Sequence, residues 1–171
     1  DHSKSLVDLG ERKEVPAVPY VKQRDRLDDV PAVSKQRRYV IEEREKQLKE
    51  YSENSPFNYE EMHDTKIGIV ASGVAYMYAK EVLGDKASYL KIGFSYPLPI
   101  EKIRAFSKKV DTLYVVEELD PVMEEQIKAA GIDCHGKDVI PNIDELNPNI
   151  VATGILGKGF PSKTVPDGLF V

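Results

Sequence analysis

The chain has 171 residues, 41% of them apolar, with 24 basic and 29 acidic side chains and a net charge of −5. That is room for one domain of ordinary size plus an extension, and the interspersed charge lacks the basic stripe that a nucleic-acid partner requires. No apolar run nears the ~18–20 residues of a membrane span and no segment reads as a signal peptide, while a single cysteine, Cys134, excludes an internal disulfide and fits a reducing cytoplasm.

Residues 1–33 are polar and dotted with Pro16, Pro19 and Pro31, without a sustained period, and read as a linker or arm. A charged helix follows over about residues 34–52. Glu42/Lys46 and Glu45/Lys49 stand at i,i+4 in the favourable acid-first order, and the apolar stripe is thin: Ile41, Leu48 and Tyr51. Ser55-Pro56 ends it. The first 64 residues are therefore expected to be an arm carrying one helix.

From Thr65 the pattern changes to repeated strand–turn–helix units. Ile67, Ile69 and Val70 form a short β-rich run, Ser72-Gly73 breaks it, and Ala75, Tyr78, Ala79 and Val82 recur at helical spacing up to Gly84, a C-cap candidate. The second unit is Tyr89–Phe94, the turn Tyr96-Pro-Leu-Pro99 and a helix with Ile100, Ile103 and Phe106. The third is Thr112–Val116, Asp120-Pro121 and a helix with Met123, Ile127 and Ala130, closed by Gly131. Parallel strands need such crossovers, so the fold class is α/β with helices covering a mostly parallel sheet. A fourth strand of this series is expected at Ile132–His135 or Val139–Ile140. The domain is expected over 65–152, and 153–171, rich in glycine and proline, reads as a following linker. Starting at Asp1 rather than Met, the chain reads as a piece of a longer polypeptide.

Few residues carry a chemical signal. Gly68-Ile-Val-Ala-Ser-Gly73 has the glycine spacing of a phosphate loop, but Val74-Ala75 stand where Lys and Ser/Thr are needed, and no G-x-G-x-x-G follows a strand. Ser72 is a plausible N-cap at an exposed helix start. Glu117 and Glu118 close the third strand. Adjacent strand residues face opposite ways, so one of the pair is expected to support the Asp120-Pro121 helix start or to meet a cation across an interface, rather than both serving one substrate. His2, His63 and His135 are isolated, and Cys134-His135 has no partners at ligand spacing. No catalytic, cofactor-binding or metal-ligating residue is assigned. Ser72, Gly73, Tyr96, Pro97 and Glu117 all fall at the C-terminal ends of successive strands, where open α/β sheets place ligands or docking surfaces. They form the candidate edge.

Taken together, Lys66-Ile-Gly-Ile-Val-Ala-Ser-Gly-Val-Ala-Tyr76, Leu90-Lys-Ile-Gly93 with Tyr96-Pro-Leu-Pro99, and Leu113-Tyr-Val-Val-Glu-Glu-Leu-Asp-Pro121 with Glu124-Glu-Gln-Ile127 resemble the middle of the α subunit in the indolepyruvate:ferredoxin oxidoreductase family. His2-Ser-Lys-Ser5, Val40–Glu53 and Ser55-Pro56 resemble the segment that precedes it, so the resemblance covers about His2 to Val151. It implies a domain like the transketolase C-terminal domain: three α/β/α layers around about five strands, one antiparallel. For the whole enzyme it implies thiamine diphosphate, magnesium, [4Fe-4S] clusters, a small β subunit and ferredoxin, and oxidative decarboxylation of an arylpyruvate to an acyl-CoA.

This chain departs from the full family pattern. It has no Gly-Asp-Gly with a downstream Asn and no cysteine cluster, so no cofactor is expected on it. The resemblance implies an architectural domain in contact with the rest of its own subunit, with Tyr20, Tyr76, Tyr96, Leu98 and Phe160 as candidates for an exposed apolar patch. Two alternatives stay open: a small-molecule module taking a ligand such as coenzyme A, and the equivalent domain of a 2-oxoacid dehydrogenase β subunit.

Overall fold

Residues 6–161 are described by a computed structural model; His2-Ser-Lys-Ser5 and the stretch from 162 onward lie outside the described residues. The chain divides into two units, the first ending at Val40 and the second beginning at Ile41. In the first, residues 6–23 have no regular structure and α1 is one turn, Arg24–Leu27. The side chains of Val18, Tyr20 and Leu27 are exposed. Two prolines, Pro16 and Pro19, and no apolar period leave this segment nothing with which to build a ladder or a stripe.

Helix α2 spans Pro31–Asn54, so the boundary between the units falls within it. It starts three residues earlier than its period indicates because proline is tolerated in a first turn, where its missing N–H would be unpaired in any case. Lys46 meets Glu43 at 3.5 Å, an exposed pair of little energetic weight. Pro56 prevents continuation, and Asn54 Nδ2 donates back to the Glu50 carbonyl at 2.9 Å.

The second unit carries a four-stranded sheet: β1 (Tyr59–Glu61), β2 (Ile67–Ser72), β3 (Ser88–Ile92) and β4 (Thr112–Val116), in the order β1-β3-β2-β4. Strands β3, β2 and β4 are parallel, and β1 is an antiparallel edge. Helices α3 (Gly73–Leu83) and α6 (Pro148–Leu156) cover one face. There Ile69, Ala71, Tyr89 and Val116 pack with Ala75, Ala79 and Val151. Helices α4 (Ile100–Ser107) and α5 (Val122–Ala129) cover the other, where Val70, Leu90 and Val115 meet Ile103, Phe106, Met123 and Ile127. This is the expected three-layer α/β/α arrangement, its faces set by the period-2 alternation along β2 and β4.

Four points differ from the sequence reading. Among the described residues the sheet has four strands, where about five were expected. Residue His135 makes one parallel bridge to Tyr114, through Val115 N to His135 O at 2.8 Å and His135 N to Leu113 O at 2.9 Å. The chain then turns away, with Val139 N and Ile140 N both donating to Gly136 O. The antiparallel strand β1 lies before residue 65, anchored by Asn58. Its Oδ1 accepts from Gly93 N and Phe94 N at 2.9 and 2.8 Å, and its Nδ2 donates to the Ser52 and Phe94 carbonyls. The helix α6 runs to Leu156, where the composition read as linker from 153. Finally, α3 buries Tyr76 and Leu83 rather than Tyr78 and Val82, a rotation of its apolar stripe toward β1, where the Tyr76 hydroxyl donates to Glu61 and Lys80 also reaches that carboxylate.

Candidate functional site at the strand ends

From β2 the chain crosses by α3 to β3 on one side, then returns by α4 to β4 on the other side of β2. The loops leaving β2 and β4 therefore diverge to opposite faces, and a crevice opens between their C-terminal ends, the usual position for a ligand in an open α/β sheet. A cleft of about 430 Å³ occupies it, lined by Ser72, Val74 and Ala75 after β2, Ser95 and Tyr96 after β3, and the segment from Glu117 after β4.

Glu117 is 8% exposed and sits at the floor. Its Oε2 accepts from Met123 N at 2.8 Å and its Oε1 from Glu124 N at 2.9 Å. The N-cap residue of α5 is Pro121, which offers no side-chain cap, so Glu117 satisfies donors that the helix start leaves orphaned and places negative charge at the positive end of the dipole. Lys137 approaches from behind, with Nζ donating to the Glu117 carbonyl at 2.6 Å. Burial holds its pKa below the usual lysine value, opposed by Glu117 and Glu124. The buried Glu124 carboxylate accepts from Lys128 Nζ at 2.6 Å and Lys137 N at 2.8 Å. Beyond it, His135 Nδ1 lies 2.6 Å from Asp138 Oδ2 and the ring stacks on Tyr114. That hydrogen bond, with help from Gly136 N–H, holds the Asp138 carboxyl below its ordinary range.

The start of α4 repeats the device. Its N-cap is Pro99, again without a side-chain cap, and Glu53 at the end of α2 accepts from Glu101 N at 3.0 Å and Lys102 N at 2.9 Å. Of the three helices that begin at this edge, two thus have internal carboxylates on their first N–H groups.

Of the candidate edge residues, Ser72, Tyr96 and Glu117 line the cleft, whereas Gly73 and Pro97 adjoin it without lining it. Gly73 takes φ +52°, a left-handed conformation that lets α3 start directly at the strand end. Ser72 occupies the N-cap position with extended backbone, but its hydroxyl makes no cap hydrogen bond. The peptide bond before Pro97 is cis. Two candidates for an exposed apolar patch are instead core: Tyr76 is 3% and Leu98 4% exposed, because α3 and the α4 entry turn carry them inward. Tyr20 and Tyr96 are exposed, and Phe160 is partly so. Sequence reasoning missed Glu53, and also Val74, Leu119 and Val122, whose exposure at this edge no periodicity marks.

The cleft lining holds three carboxylates, Glu117, Glu118 and Asp120, and no cation. Both Glu117 oxygens are already engaged by backbone N–H groups of α5, and a bare phosphate would meet repulsion from this lining. Among the described residues, no group of three or more His, Cys, Asp and Glu side chains is placed to hold a metal ion. Nor is any described helix long and apolar enough to cross a membrane.

No family model matches the chain, and no solved structure does. Curated relatives do. Indolepyruvate oxidoreductase subunit IorA of Pyrococcus abyssi (strain GE5 / Orsay) is 35% identical over 74% of this chain and 21% of its own length. The protein of the same name from Methanothermobacter marburgensis is 33% identical over 97% of this chain and 30% of its own, and that from Archaeoglobus fulgidus is 30% identical over 90% of this chain and 26% of its own. The match thus extends over most of this chain but only about a fifth to a third of each relative. The chain is accordingly a relative of one segment of the indolepyruvate oxidoreductase subunit IorA family.

Proposed function

We propose that this chain is the middle, transketolase-C-terminal-like domain of the α subunit of an indolepyruvate:ferredoxin oxidoreductase, with its arm over 1–64 and a linker at its C-terminal end. It acts there as an architectural element rather than as a holder of reacting groups. Thiamine diphosphate, magnesium and [4Fe-4S] clusters belong, on this reading, to other parts of a cytoplasmic enzyme. That enzyme converts an arylpyruvate to an acyl-CoA and passes electrons to ferredoxin, and it includes a small β subunit.

The observation that carries this reading is the occupation of the strand-end edge. Where an open α/β sheet ordinarily offers helix N–H groups to a ligand, α4 and α5 offer theirs to Glu53 and Glu117 of the same chain. At these two of the three helix starts, donors that would bind an anion serve the fold instead, whereas α3 starts without a side-chain cap. The acidic lining likewise disfavours the phosphates of coenzyme A, and the name shared by the relatives favours this family over a 2-oxoacid dehydrogenase β subunit.

The test is an assay of the purified chain with indolepyruvate, coenzyme A, thiamine diphosphate, magnesium and a viologen acceptor. The expected result is no substrate-dependent reduction of the acceptor. Turnover by this chain alone would overturn the proposal.

A further inference from the structure

We infer that the cleft between the ends of β2 and β4 is a docking groove for a basic, apolar protein segment contributed by another part of the longer polypeptide. The inference rests on the architectural reading above and names the face and the chemistry of the contact.

Two features of the rim carry it. Val74 is 51% exposed, Tyr96 66% and Val122 61%, and all three line one opening, while Leu119, 55% exposed, stands between the lining residues Glu118 and Asp120. A large apolar side chain at a loop tip is costly to leave in water, and a cluster of them around a concavity marks a contact surface. Leu119 adds to this, for it adopts φ +56°, a left-handed conformation a leucine rarely takes. Its side chain stands outside the core at a turn where glycine or asparagine would be unstrained.

The floor and sides supply the charge. Glu117 is negative and buried, its oxygens committed to α5, while Glu118 and Asp120 are exposed at the lip. Glu118 Oε1 also accepts from Leu146 N at 3.3 Å. Lys137 donates to the Glu117 carbonyl without lining the cleft, and its charge interacts with Glu117, Asp120 and Glu118. The opening therefore holds three carboxylates against one lysine that stands outside its lining, framed by aliphatic and aromatic surface. Its complement is a lysine or arginine flanked by apolar side chains, the guanidinium being the better match to paired carboxylates. A phosphate-bearing ligand is the wrong sign. In the relatives at least seventy per cent of the length lies beyond the matched stretch, which is the part that would contribute such a segment.

The test follows backbone amide signals of the complete 171-residue chain by NMR during titration with three probes. These are a synthetic peptide of alternating arginine and leucine, its glutamate–leucine counterpart, and coenzyme A. Two double reversals are compared, Glu118→Lys with Asp120→Lys at the lip and Glu81→Lys with Asp133→Lys at exposed sites elsewhere, each checked for native circular dichroism. The expected result is that only the basic peptide shifts Val74, Ala75, Leu119, Val122 and Gln126. The lip reversal then weakens it by about tenfold or more and the distant reversal changes it little. Shifts that map elsewhere, or equal loss from both reversals, overturn the docking groove and leave the architectural reading standing. Shifts of the same amides by coenzyme A overturn both.

Discussion

Glu53 and Glu117 perform the same task on two different helices: each carboxylate spans two successive backbone N–H groups at a helix start whose N-cap is a proline. Proline fixes the entry angle of α4 and α5 but brings no side-chain acceptor, so the orphan donors must be satisfied from a distance. Glu53 does this from α2 and ties that helix to the α/β layers. Glu117 does it from the end of β4, where it lines the cleft between the ends of β2 and β4.

Removing either carboxylate should destabilise the fold, and by different amounts. Glu117→Ala leaves two buried donors without an acceptor and should cost about 2–3 kcal/mol. Glu53→Ala frees donors that water can reach and should cost about 1 kcal/mol, the usual worth of a cap. Urea unfolding followed by circular dichroism should give midpoints ordered wild type, Glu53→Ala, Glu117→Ala. Equal midpoints for the two variants would contradict the assignment of Glu117 as the buried cap.

Gly136 offers a packing test of the same region. A Cβ at this position would land on the Glu124 carboxylate, which is held by Lys128 and by Lys137 N–H and has little freedom to retreat. Gly136→Ala should therefore destabilise by about 1–3 kcal/mol, the usual range for overpacking. In a Glu124→Ala background the same change should cost distinctly less, since the obstructing group is gone. An additive double-mutant cycle would show that the clash is not the cause.

Alkaline stability should be limited by two tyrosines. Burial, and then the hydrogen bond to Glu61, push Tyr76 up to about 12, and burial pushes Tyr89 up to about 12. The Tyr89 hydroxyl also donates to the Gly84 carbonyl at 2.6 Å. A folded-state pKa above the unfolded value of 10 favours the native state while the group is protonated. The contribution is complete below pH 10 and is lost as pH rises toward about 12. Phenolate absorption from these two residues should then appear together with loss of helical circular dichroism. Their ionisation in a still-folded chain would contradict the burial described here.

The order β2–α3–β3–α4–β4–α5 was legible because each strand is a short β-rich run and each helix repeats apolar residues at three or four, with Gly84 and Gly131 as stops. That a carboxylate could serve the α5 start was legible as one of two readings, from strand alternation and the Asp120-Pro121 entry, but not that it is Glu117. Other features had no local signal. The strand β1 is Tyr-Glu-Glu, without alternation, and exists by pairing with β3. Glu53 acts on a helix 48 residues away, a distance no window spans. Helix α6 did carry signals that went unused. Asn147 caps Ile150 N at 3.1 Å, Pro148 sits in the first turn and Gly157 closes it with φ +66°, but the glycines and prolines of 153–171 read as linker when counted rather than placed.

The central claim, that this chain supplies architecture and docking surface rather than a cofactor site, is tested most directly by thermal unfolding in the presence of candidate ligands. The chain would be melted alone, with millimolar coenzyme A, and with thiamine diphosphate plus magnesium. A ligand that binds only the native state must raise stability by linkage, by ~2.7 kcal/mol at a hundredfold excess over its dissociation constant. The account predicts the same midpoint under all three conditions. A clear rise with thiamine diphosphate and magnesium, or with coenzyme A, would place a ligand site on this chain and contradict it.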